Sequence, residues 1–399
     1  MLDLTHKTKT LVRLLRAPLE ETQERIRKGA LYQPRHNNFE PQTHIREAAE
    51  WLVRAQDAGA DRGVSYGADF GNGFLPSYPE TTGYIIPTFL ALCRYLKRDE
   101  FRSRAVEMGE WESAVQLESG AVMGGMYNRQ PTPAIFNTGM VLLGWSALYD
   151  ETGCELFRCS GARAARWLME MQDEDGTWRR GNSQFARAES TLYNVKAAWG
   201  LARMGRSLGQ CEYLQAAVRN AEFTVSQQHP NGWFPDCCLT NPHRPLLHTI
   251  AYTMQGLIGI GTLSKRREFI DAAEKTARSL AGVMHPDGFI PGAIESNFRG
   301  TVNWACLTGT AQTSIVWSAL EKLTGDAAFG QAAERANRYL MARHDIANAD
   351  PALRGGVAGS WPVSAEYGRY KVLNWATKFL VDALLLREPN AADLFCLLT

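Results

Sequence analysis

Gln172-Asp173-Glu174-Asp175-Gly176 is the stretch that decides the fold, because its glutamine returns along the chain at a nearly constant interval. Three further copies stand at spacings of about 56 residues: Gln116-Leu117-Glu118-Ser119-Gly120, Gln228-His229-Pro230-Asn231-Gly232 and Met284-His285-Pro286-Asp287-Gly288. Trp51 with Gln56 marks an earlier copy, and Tyr339 with His344 marks a weaker last one. Self-similarity at a fixed period predicts stacked structural units. Six copies then fill the chain from about residue 45 to its end.

Each copy combines two helices of different character. The first helix carries apolar residues three and four apart, such as Ala164, Leu168 and Met171, which is the pattern of a helix with one buried face. An Asp-Gly or Asn-Gly turn ends this helix, and an irregular, aromatic-rich segment of about twenty residues follows. The second helix is apolar nearly all round, as in the stretch 138–145, so we expect it to be buried on all sides.

The repeat therefore predicts an all-α (α/α)6 toroid, in which six helical hairpins close into a ring with the second helices inside. We expect the inner helices to begin near Thr82, Thr138, Thr191, Thr249, Gln312 and Asn374. Residues 45–399 would form this domain, and residues 1–44 an N-terminal helical extension. An open solenoid is the alternative, and it would need a polar cap at each end of the stack.

This repeat resembles the toroids of six-hairpin glycosidases, uronate-processing lyases and epimerases, terpene cyclases and protein prenyltransferase β subunits. The resemblance covers the repeat region and concerns architecture. The stretch from Gln172 to Trp178 also resembles the Gln-to-Trp repeat of terpene cyclases, which clamps helix ends. A shared clamp indicates fold and leaves the chemistry open. The acidic Asp-x-Asp-Asp motif of class II terpene cyclases is absent from the sequence.

Composition excludes several classes of protein. The formal net charge is +1, from 43 basic and 42 acidic residues, whereas a nucleic-acid-binding protein would carry a basic stripe. We predict no transmembrane segment, no signal peptide and no metal or other cofactor. The set Asp236-Cys237-Cys238 with a later histidine is a weak match to a zinc site. Eight cysteines without a C-x-x-C pair indicate reduced thiols and a cytoplasmic protein.

The N-terminal extension carries a short basic amphipathic stretch, with Leu11, Leu14 and Leu15 beside Lys9 and Arg13. One hypothesis is contact with a membrane surface or a protein partner. The hypothesis that we favour is an arm packed across the outer ring of helices.

The helix directions predict where a ligand would bind. If the second helices all run the same way, their N-termini surround one mouth of the ring, each with about half a positive charge and free N–H groups. Such a mouth favours an anionic ligand. We assign Thr82, Thr138, Thr191 and Thr249 to capping these ends. Capping leaves Glu189, Tyr193 and Lys196 unexplained, since they share one helical face and would point into the cavity.

The polar and aromatic residues at this mouth are the candidate site. His248, Tyr367, Tyr370 and Glu189 are the catalytic candidates. The substrate-binding candidates are Tyr66, Asp69, Tyr78, Glu80, Asn137, Arg187, Tyr193, Asn194, Lys196, Tyr252, Asn303, Trp304, Trp361, Glu366, Lys371 and Asn374. The competing explanation for any one of them is an internal hydrogen-bonded network that joins neighbouring helices.

The inventory favours a carbohydrate-active enzyme acting on an acidic, uronate-containing oligo- or polysaccharide, in the metabolism of bacterial surface polysaccharides. An epimerase or lyase would use His248, Tyr367 and Tyr370 for proton transfer, with Arg187, Lys371 and Asn374 on the carboxylate. A glycoside hydrolase would instead draw two carboxylates from Glu80, Glu189, Glu295 and Glu366. A non-catalytic toroid that binds a glycan or a protein, and a terpene cyclase, are the remaining alternatives.

Overall fold

The computed structural model describes residues 21–34, 36–127, 130–182, 186, 192–389 and 398. Helices dominate this part of the chain, as the repeat predicts. None of the described helices combines the length and the apolar character that crossing a membrane requires.

The repeat produces two sets of helices that alternate along the chain. A short helix over residues 21–31 comes first and is called α1 here. The outer helices are α2 (Pro41–Asp57), α4 (Glu100–Val115), α6 (Glu155–Met171), α8 (Cys211–Ser226), α10 (Arg267–Val283) and α12 (Ala327–Met341). The inner helices are α3 (Pro79–Leu96), α5 (Ile135–Thr152), α7 (Val195–Leu208), α9 (Leu247–Ser264), α11 (Leu307–Thr324) and α13 (Asn374–Leu385).

The inner helices close into a ring, which confirms the (α/α)6 toroid. Each inner helix contacts the next one along the chain, and α13 contacts α3. Tight turns join each inner helix to the outer helix that follows it, so the first outer helix, α2, pairs with the last inner helix, α13. One hairpin is therefore assembled from the two ends of the domain. The open solenoid is wrong, because an open stack would leave α3 and α13 apart.

Four glutamines hold the outer ring together. The side-chain amide of Gln172 donates to Gly176 O and to Ala216 O of the next outer helix, both at 3.0 Å. Gln56, Gln116 and Gln228 make the same pair of bonds to their own turn and to the following helix. The periodic glutamine is thus a structural clamp. Its nearly constant spacing along the chain equals the number of residues in one repeat.

The threonines at the inner helix starts do not act as caps. Thr82 lies inside the first turn of α3, which begins earlier, at Pro79, because proline suits the first helical position. Its hydroxyl donates to Tyr78 O at 2.9 Å and accepts from the backbone N–H of Val64 at 2.9 Å. Thr138 bonds in the same way, and Thr249 donates to Cys237 O. These threonines tie the long segments to the inner helices. Thr191 lies outside the described residues.

Short strands lie at the ends of the long segments. They are β1 (Gly67–Asp69), β2 (Gly73–Phe74), β3 (Ala305–Cys306), β4 (Val357–Ala358), β5 (Ser360–Trp361) and β6 (Lys371–Leu373). β1 pairs antiparallel with β6, with Ala68 opposite Val372, in a four-stranded sheet ordered β2-β1-β6-β4. Because β1 follows α2 and β6 precedes α13, this sheet joins the first and last repeats.

Helix α1 packs on the segments that follow α2 and α12. Arg25 Nε lies 2.7 Å from an Asp69 carboxylate oxygen, and Lys28 Nζ lies 2.8 Å from Asp350. The hydroxyl of Tyr32 donates to Gly356 O at 3.2 Å. The basic stretch over residues 7–16 lies outside the described residues, so its contact with a membrane or partner stays a prediction.

Candidate active site

A cavity of about 220 Å³ lies at the N-terminal ends of the inner helices. It is lined by Tyr66, Tyr78, Glu80, Tyr84, Phe136, Tyr193, Leu239, His248, Thr249, Tyr252, Tyr367 and Trp375. Helices α3, α5, α9 and α13 each contribute from their first two turns, and Tyr193 belongs to the 3-10 turn Leu192–Asn194 that leads into α7. The wall is therefore drawn from most of the ring.

Among the described residues that line the cavity, Glu80 is the one that carries a carboxyl group. Its Oε2 accepts a hydrogen bond of 2.6 Å from the hydroxyl of Tyr78. Burial raises the pKa of Glu80 from its ordinary value to about 7, against the opposing effect of the Tyr78 hydrogen bond. A carboxyl group with this pKa exchanges a proton readily at neutral pH, which is what a general acid or base requires.

His248 supplies the imidazole. Its Nδ1 lies 2.6 Å from Oε1 of Gln312 on α11, and its ring contacts that of Tyr252 with the centroids 4.4 Å apart and the planes tilted by 50°. Burial lowers the pKa of His248 to about 4, although the Gln312 hydrogen bond acts in the opposite direction. The imidazole is therefore neutral at pH 7. Nε2 forms no hydrogen bond within the described part of the chain.

Aromatic rings form the rest of the wall. The ring of Tyr66 meets that of Trp375 edge-on, with the ring centroids 4.6 Å apart. Its centroid lies 5.4 Å from that of Tyr78, and these two rings are tilted by 34°. On the other side, Phe136 lies 4.8 Å from Tyr252 and 5.3 Å from Tyr193, measured between ring centroids. Flat apolar rings with a few polar groups among them are typical of a site for a small organic ligand.

Burial makes the tyrosine hydroxyls of this cavity difficult to ionise. Burial raises the pKa of Tyr367, Tyr252 and Tyr84 well above the ordinary value of tyrosine, and nearby ionisable groups act in the same direction. The Tyr367 hydroxyl oxygen accepts a hydrogen bond of 2.8 Å from the indole N–H of Trp375. The hydroxyls of Tyr84 and Tyr252 are buried close to each other, and neither has a further hydrogen-bond partner in the described residues. A ligand hydroxyl would satisfy them.

The structure brings seven of the predicted residues together in this cavity. They are Tyr66, Tyr78, Glu80, Tyr193, His248, Tyr252 and Tyr367. Tyr370 is separated from His248 and Tyr367, because it lies with Trp361 in a different groove of about 500 Å³ beside α1. Glu189 and Arg187 lie outside the described residues.

Most of the other predicted residues that the structure describes are engaged with protein groups. Asp69 lies between Arg25 and Lys371, whose Nζ is 3.8 Å away. The amides of Asn137, Asn194 and Asn374 donate to Met123 O, to Asn182 and to Ser65 O, respectively. Lys196 is fully buried and donates to Gln255 and to Leu398 O. Trp304 packs against Gly292, Asn303 is exposed, and Glu366 pairs with Arg244 at the surface.

Sequence reasoning missed Tyr84, Phe136, Leu239 and Trp375 as lining residues, and it placed Thr249 in a capping role. Tyr84 carried a usable signal, since it follows Glu80 by four residues and shares its helical face. Phe136, Leu239 and Trp375 carried none. Their apolar side chains look the same in sequence whether they face a cavity or the core.

The electrostatics of the lining differ from the sequence-based expectation. Among the described residues that line the cavity, Glu80 and His248 are the ionisable groups other than tyrosine, and no lysine or arginine lies at the wall. The predicted cations Lys196 and Lys371 bond elsewhere, and among the described parts of the site the N-terminal ends of the inner helices supply positive potential.

Comparison with known proteins shows likeness in structure and not in sequence. No protein-family model and no curated protein matches the chain. An unsaturated glucuronyl hydrolase from Bacillus sp. GL1, responsible for the degradation of glycosaminoglycan, has a TM-score of 0.68 at 15% identity, covering 88% of this chain and 98% of that one.

Two further solved structures have the same architecture. Cellobiose 2-epimerase from Bacillus thermoamylovorans has a TM-score of 0.68 at 10% identity, covering 86% of this chain and 97% of that one. A D-mannose isomerase has a TM-score of 0.65 at 12% identity, with coverages of 86% and 97%. At these identities the likenesses establish the (α/α)6 toroid fold, as the repeat indicated.

Proposed function

We propose that this protein is a carbohydrate-active enzyme that moves a proton at a carbon atom of a sugar, with Glu80 and His248 as the exchanging groups. The observation that carries the proposal is the pairing of these two groups in one aromatic cavity at the mouth of the toroid. The pKa of Glu80 is raised to about 7 and that of His248 is lowered to about 4, both by burial. Titratable groups perturbed in this way are a mark of catalytic sites.

The two groups come from different walls of the cavity. Glu80 lies in the first turn of α3, and His248 lies in the first turn of α9. At pH 7 a large share of Glu80 is protonated and His248 is neutral, so one group can donate a proton while the other accepts one. Removal of a proton on one side of a sugar carbon and its return on another side is the chemistry of an epimerase, and removal followed by elimination is that of a lyase.

We propose an acidic sugar, a uronate, as the substrate class. The N-terminal ends of the inner helices face the cavity and favour negative charge. Protonation of Glu80, which burial promotes, removes the carboxylate that would repel a uronate. The glucuronyl hydrolase of the same fold acts on a uronic acid, by its name. The free thiols of Cys154, Cys159 and Cys211 at the surface fit the proposed cytoplasmic location.

Glycoside hydrolysis is the second candidate function, because a carboxyl group with the raised pKa of Glu80 is also suited to protonating a leaving group. A hydrolase of this kind needs a second carboxylate. Glu295 and Glu366 bond to Arg299 and Arg244 away from the cavity lining. Of the four glutamates that the sequence offers for this reaction, Glu189 remains as the candidate for the second carboxylate.

The test is a panel of uronate-containing and neutral oligosaccharides incubated with the enzyme in deuterated water. Proton transfer at carbon predicts incorporation of deuterium into the sugar, or an unsaturated uronate with ultraviolet absorbance. Glu80→Gln and His248→Gln should each reduce the rate by about a hundredfold or more. Glu212→Gln, on outer helix α8, is the matched control and should leave the rate unchanged.

Each alternative predicts a different result of this experiment. Release of reducing ends without deuterium in the product would replace the proposal with hydrolysis. Saturable binding of an oligosaccharide without turnover would indicate the non-catalytic toroid. Turnover of an isoprenoid diphosphate in place of a sugar would indicate a terpene cyclase.

A further inference from the structure

A buried chain of polar side chains runs behind His248 and away from the cavity. His248 Nδ1 lies 2.6 Å from Gln312 Oε1, and the Gln312 side-chain amide donates to Gln255 Oε1 at 3.2 Å. The same Gln255 oxygen accepts from Lys196 Nζ at 3.2 Å, and Lys196 also donates to Leu398 O. Lys196, Gln255 and Gln312 are all fully buried. The chain joins three inner helices, α7, α9 and α11.

The lysine gives this chain a direction. Both partners of Lys196, Gln255 Oε1 and Leu398 O, are oxygen acceptors, so the amino group must present an N–H to each. Burial and the neighbouring Lys378 lower the pKa of Lys196. An ammonium group offers only donors, whereas a neutral amino group keeps a lone pair that can accept from a reversed Gln255 amide. The direction therefore requires the charged form of Lys196, which the nearby carboxylate of Asp382 favours.

The orientation of the two glutamines follows from the lysine. If the Gln255 amide were reversed, its NH2 group would face the donors of both Lys196 and Gln312. The observed orientation instead leaves the Gln255 NH2 group buried without a partner in the described residues. Gln312 must then point its NH2 group at Gln255 and its oxygen at His248.

We propose that Lys196, as a charged ammonium group, is a positioning residue that sets the tautomer of His248 through Gln255 and Gln312. An oxygen opposite Nδ1 requires a proton on Nδ1, since a neutral imidazole carries one N–H. Nε2 is then the nitrogen with the free lone pair, and no described residue bonds to it. His248 therefore enters a reaction as a proton acceptor at Nε2. This role in catalysis rests on the proposed function, whereas the tautomer itself does not.

The tautomer is measured directly by 15N NMR of the histidine-labelled protein, without substrate. The resonance of His248 is assigned by its loss in the His248→Gln variant. We expect wild-type protein at pH 7 to show a protonated Nδ1 and an unprotonated Nε2. A protonated Nε2 with a free Nδ1 would overturn the inference, whatever any variant does.

Two variants separate positioning from mere support of the fold. Lys196→Met frees Gln255 and Gln312 to reverse, so a population with protonated Nε2 should appear. Adding Gln312→Glu should restore the Nδ1–H form without the lysine, because a carboxylate only accepts hydrogen bonds. Lys275→Met, at an exposed site on α10, is the control for loss of a lysine. A tautomer unchanged by Lys196→Met in folded protein would remove Lys196 from the proposal.

The kinetic consequence is a second readout. If the proposed function holds, Lys196→Met should reduce kcat by about a hundredfold with little change in KM, and Gln312→Glu in the same protein should restore much of it. If the protein proves to have a different activity, the NMR result still decides the tautomer. Should Lys196→Met fail to fold, the wild-type tautomer and that of the Gln312→Glu single variant, which must also show protonated Nδ1, remain as tests.

Discussion

At the scale of single residues, burial decides the chemistry of the cavity. Glu80 and His248 are both shifted toward their uncharged forms, because each loses hydration when its helix start joins the ring. Tyr78 donates to Glu80, and Gln312 accepts from His248, so each group is oriented by one neutral partner. A neutral hydrogen-bond partner orients a titratable group without fixing its protonation state, as a charged partner would. Both groups therefore remain free to exchange protons.

Glu80→Gln, besides reducing the rate, should stabilise the protein at alkaline pH. The raised pKa of Glu80 means that its contribution to stability is complete below about pH 4.5 and is lost as the pH rises through about 7, because ionisation is then unfavourable in the folded state. Thermal unfolding at pH 4.5 and pH 8.5 should show equal Tm values at the lower pH and a higher Tm for the variant at the higher pH. Glu212→Gln should show no such pH dependence. A lower Tm for Glu80→Gln at both pH values would assign Glu80 to a structural network.

At the scale of helices, glycine allows the inner ring to form. A Cβ atom on Gly200 of α7 would lie 1.9 Å from Gly139 O of α5, and one on Gly139 would lie 2.4 Å from Ala197 Cα. A Cβ atom on Gly144 of α5 would likewise lie 2.3 Å from Gly83 O of α3. The backbones of neighbouring inner helices therefore touch directly. This close approach holds their N-terminal ends around one small cavity.

Gly200→Ala should destabilise the protein by about 1–3 kcal/mol or more, because the added methyl group overlaps a backbone carbonyl that cannot move away alone. Gly282→Ala is the matched control, on outer helix α10 with open space around the added atom. It should stabilise the protein by up to about 1 kcal/mol, through helix propensity. Urea unfolding of both variants checks the contrast. Equal effects would show that the inner helices have room to separate.

At the scale of the whole molecule, closure of the ring joins parts of the chain that are far apart in sequence. The Asn374 amide donates to Ser65 O at 2.8 Å and to Thr81 Oγ1 at 2.7 Å. Asp382 of α13 accepts from the Thr88 hydroxyl of α3 at 2.8 Å, and it lies 2.6 Å from Lys378 Nζ. Lys378 and Asp382 are both completely buried. The contact between α13 and α3 thus includes a hydrogen bond from Thr88 to a charge pair buried within α13, in addition to apolar packing.

Asp382→Ala should destabilise the protein by about 3–5 kcal/mol, because it removes the carboxylate that is paired with the buried Lys378 ammonium group. Replacing both partners, as Lys378→Met with Asp382→Leu, should recover most of that loss. The control is Arg267→Met with Asp271→Leu, an exposed pair on α10, which should change the free energy of unfolding by less than about 1 kcal/mol. Denaturant titration measures all three. A double variant as unstable as Asp382→Ala would mean that closure itself needs the ion pair.

The amino-acid sequence by itself determined the architecture. The spacing of Gln116, Gln172 and Gln228 and the contrast between half-apolar and fully apolar helices predicted the repeat, the copy number and the inner ring. These features are local. The apolar pattern of a helix is contained in its own residues, and the glutamine clamp occurs once in each repeat. The helix starts were less well placed. α11 begins at Leu307, ahead of the predicted Gln312, because its first turn is formed by small and apolar residues without a start signal.

Only the tertiary structure decided which of the polar residues meet. Glu80 and His248 lie far apart along the chain, and ring closure brings them to one cavity, whereas Tyr370 turns into another groove. Helical spacing placed Tyr193 and Lys196 on one face, but it could not show how deeply each side chain is buried below the cavity. Tyr193 lies at the cavity wall, and Lys196 lies beneath it, bonded to Gln255. The physical reason is that a sequence pattern specifies the direction of a side chain, while its neighbours specify what it touches.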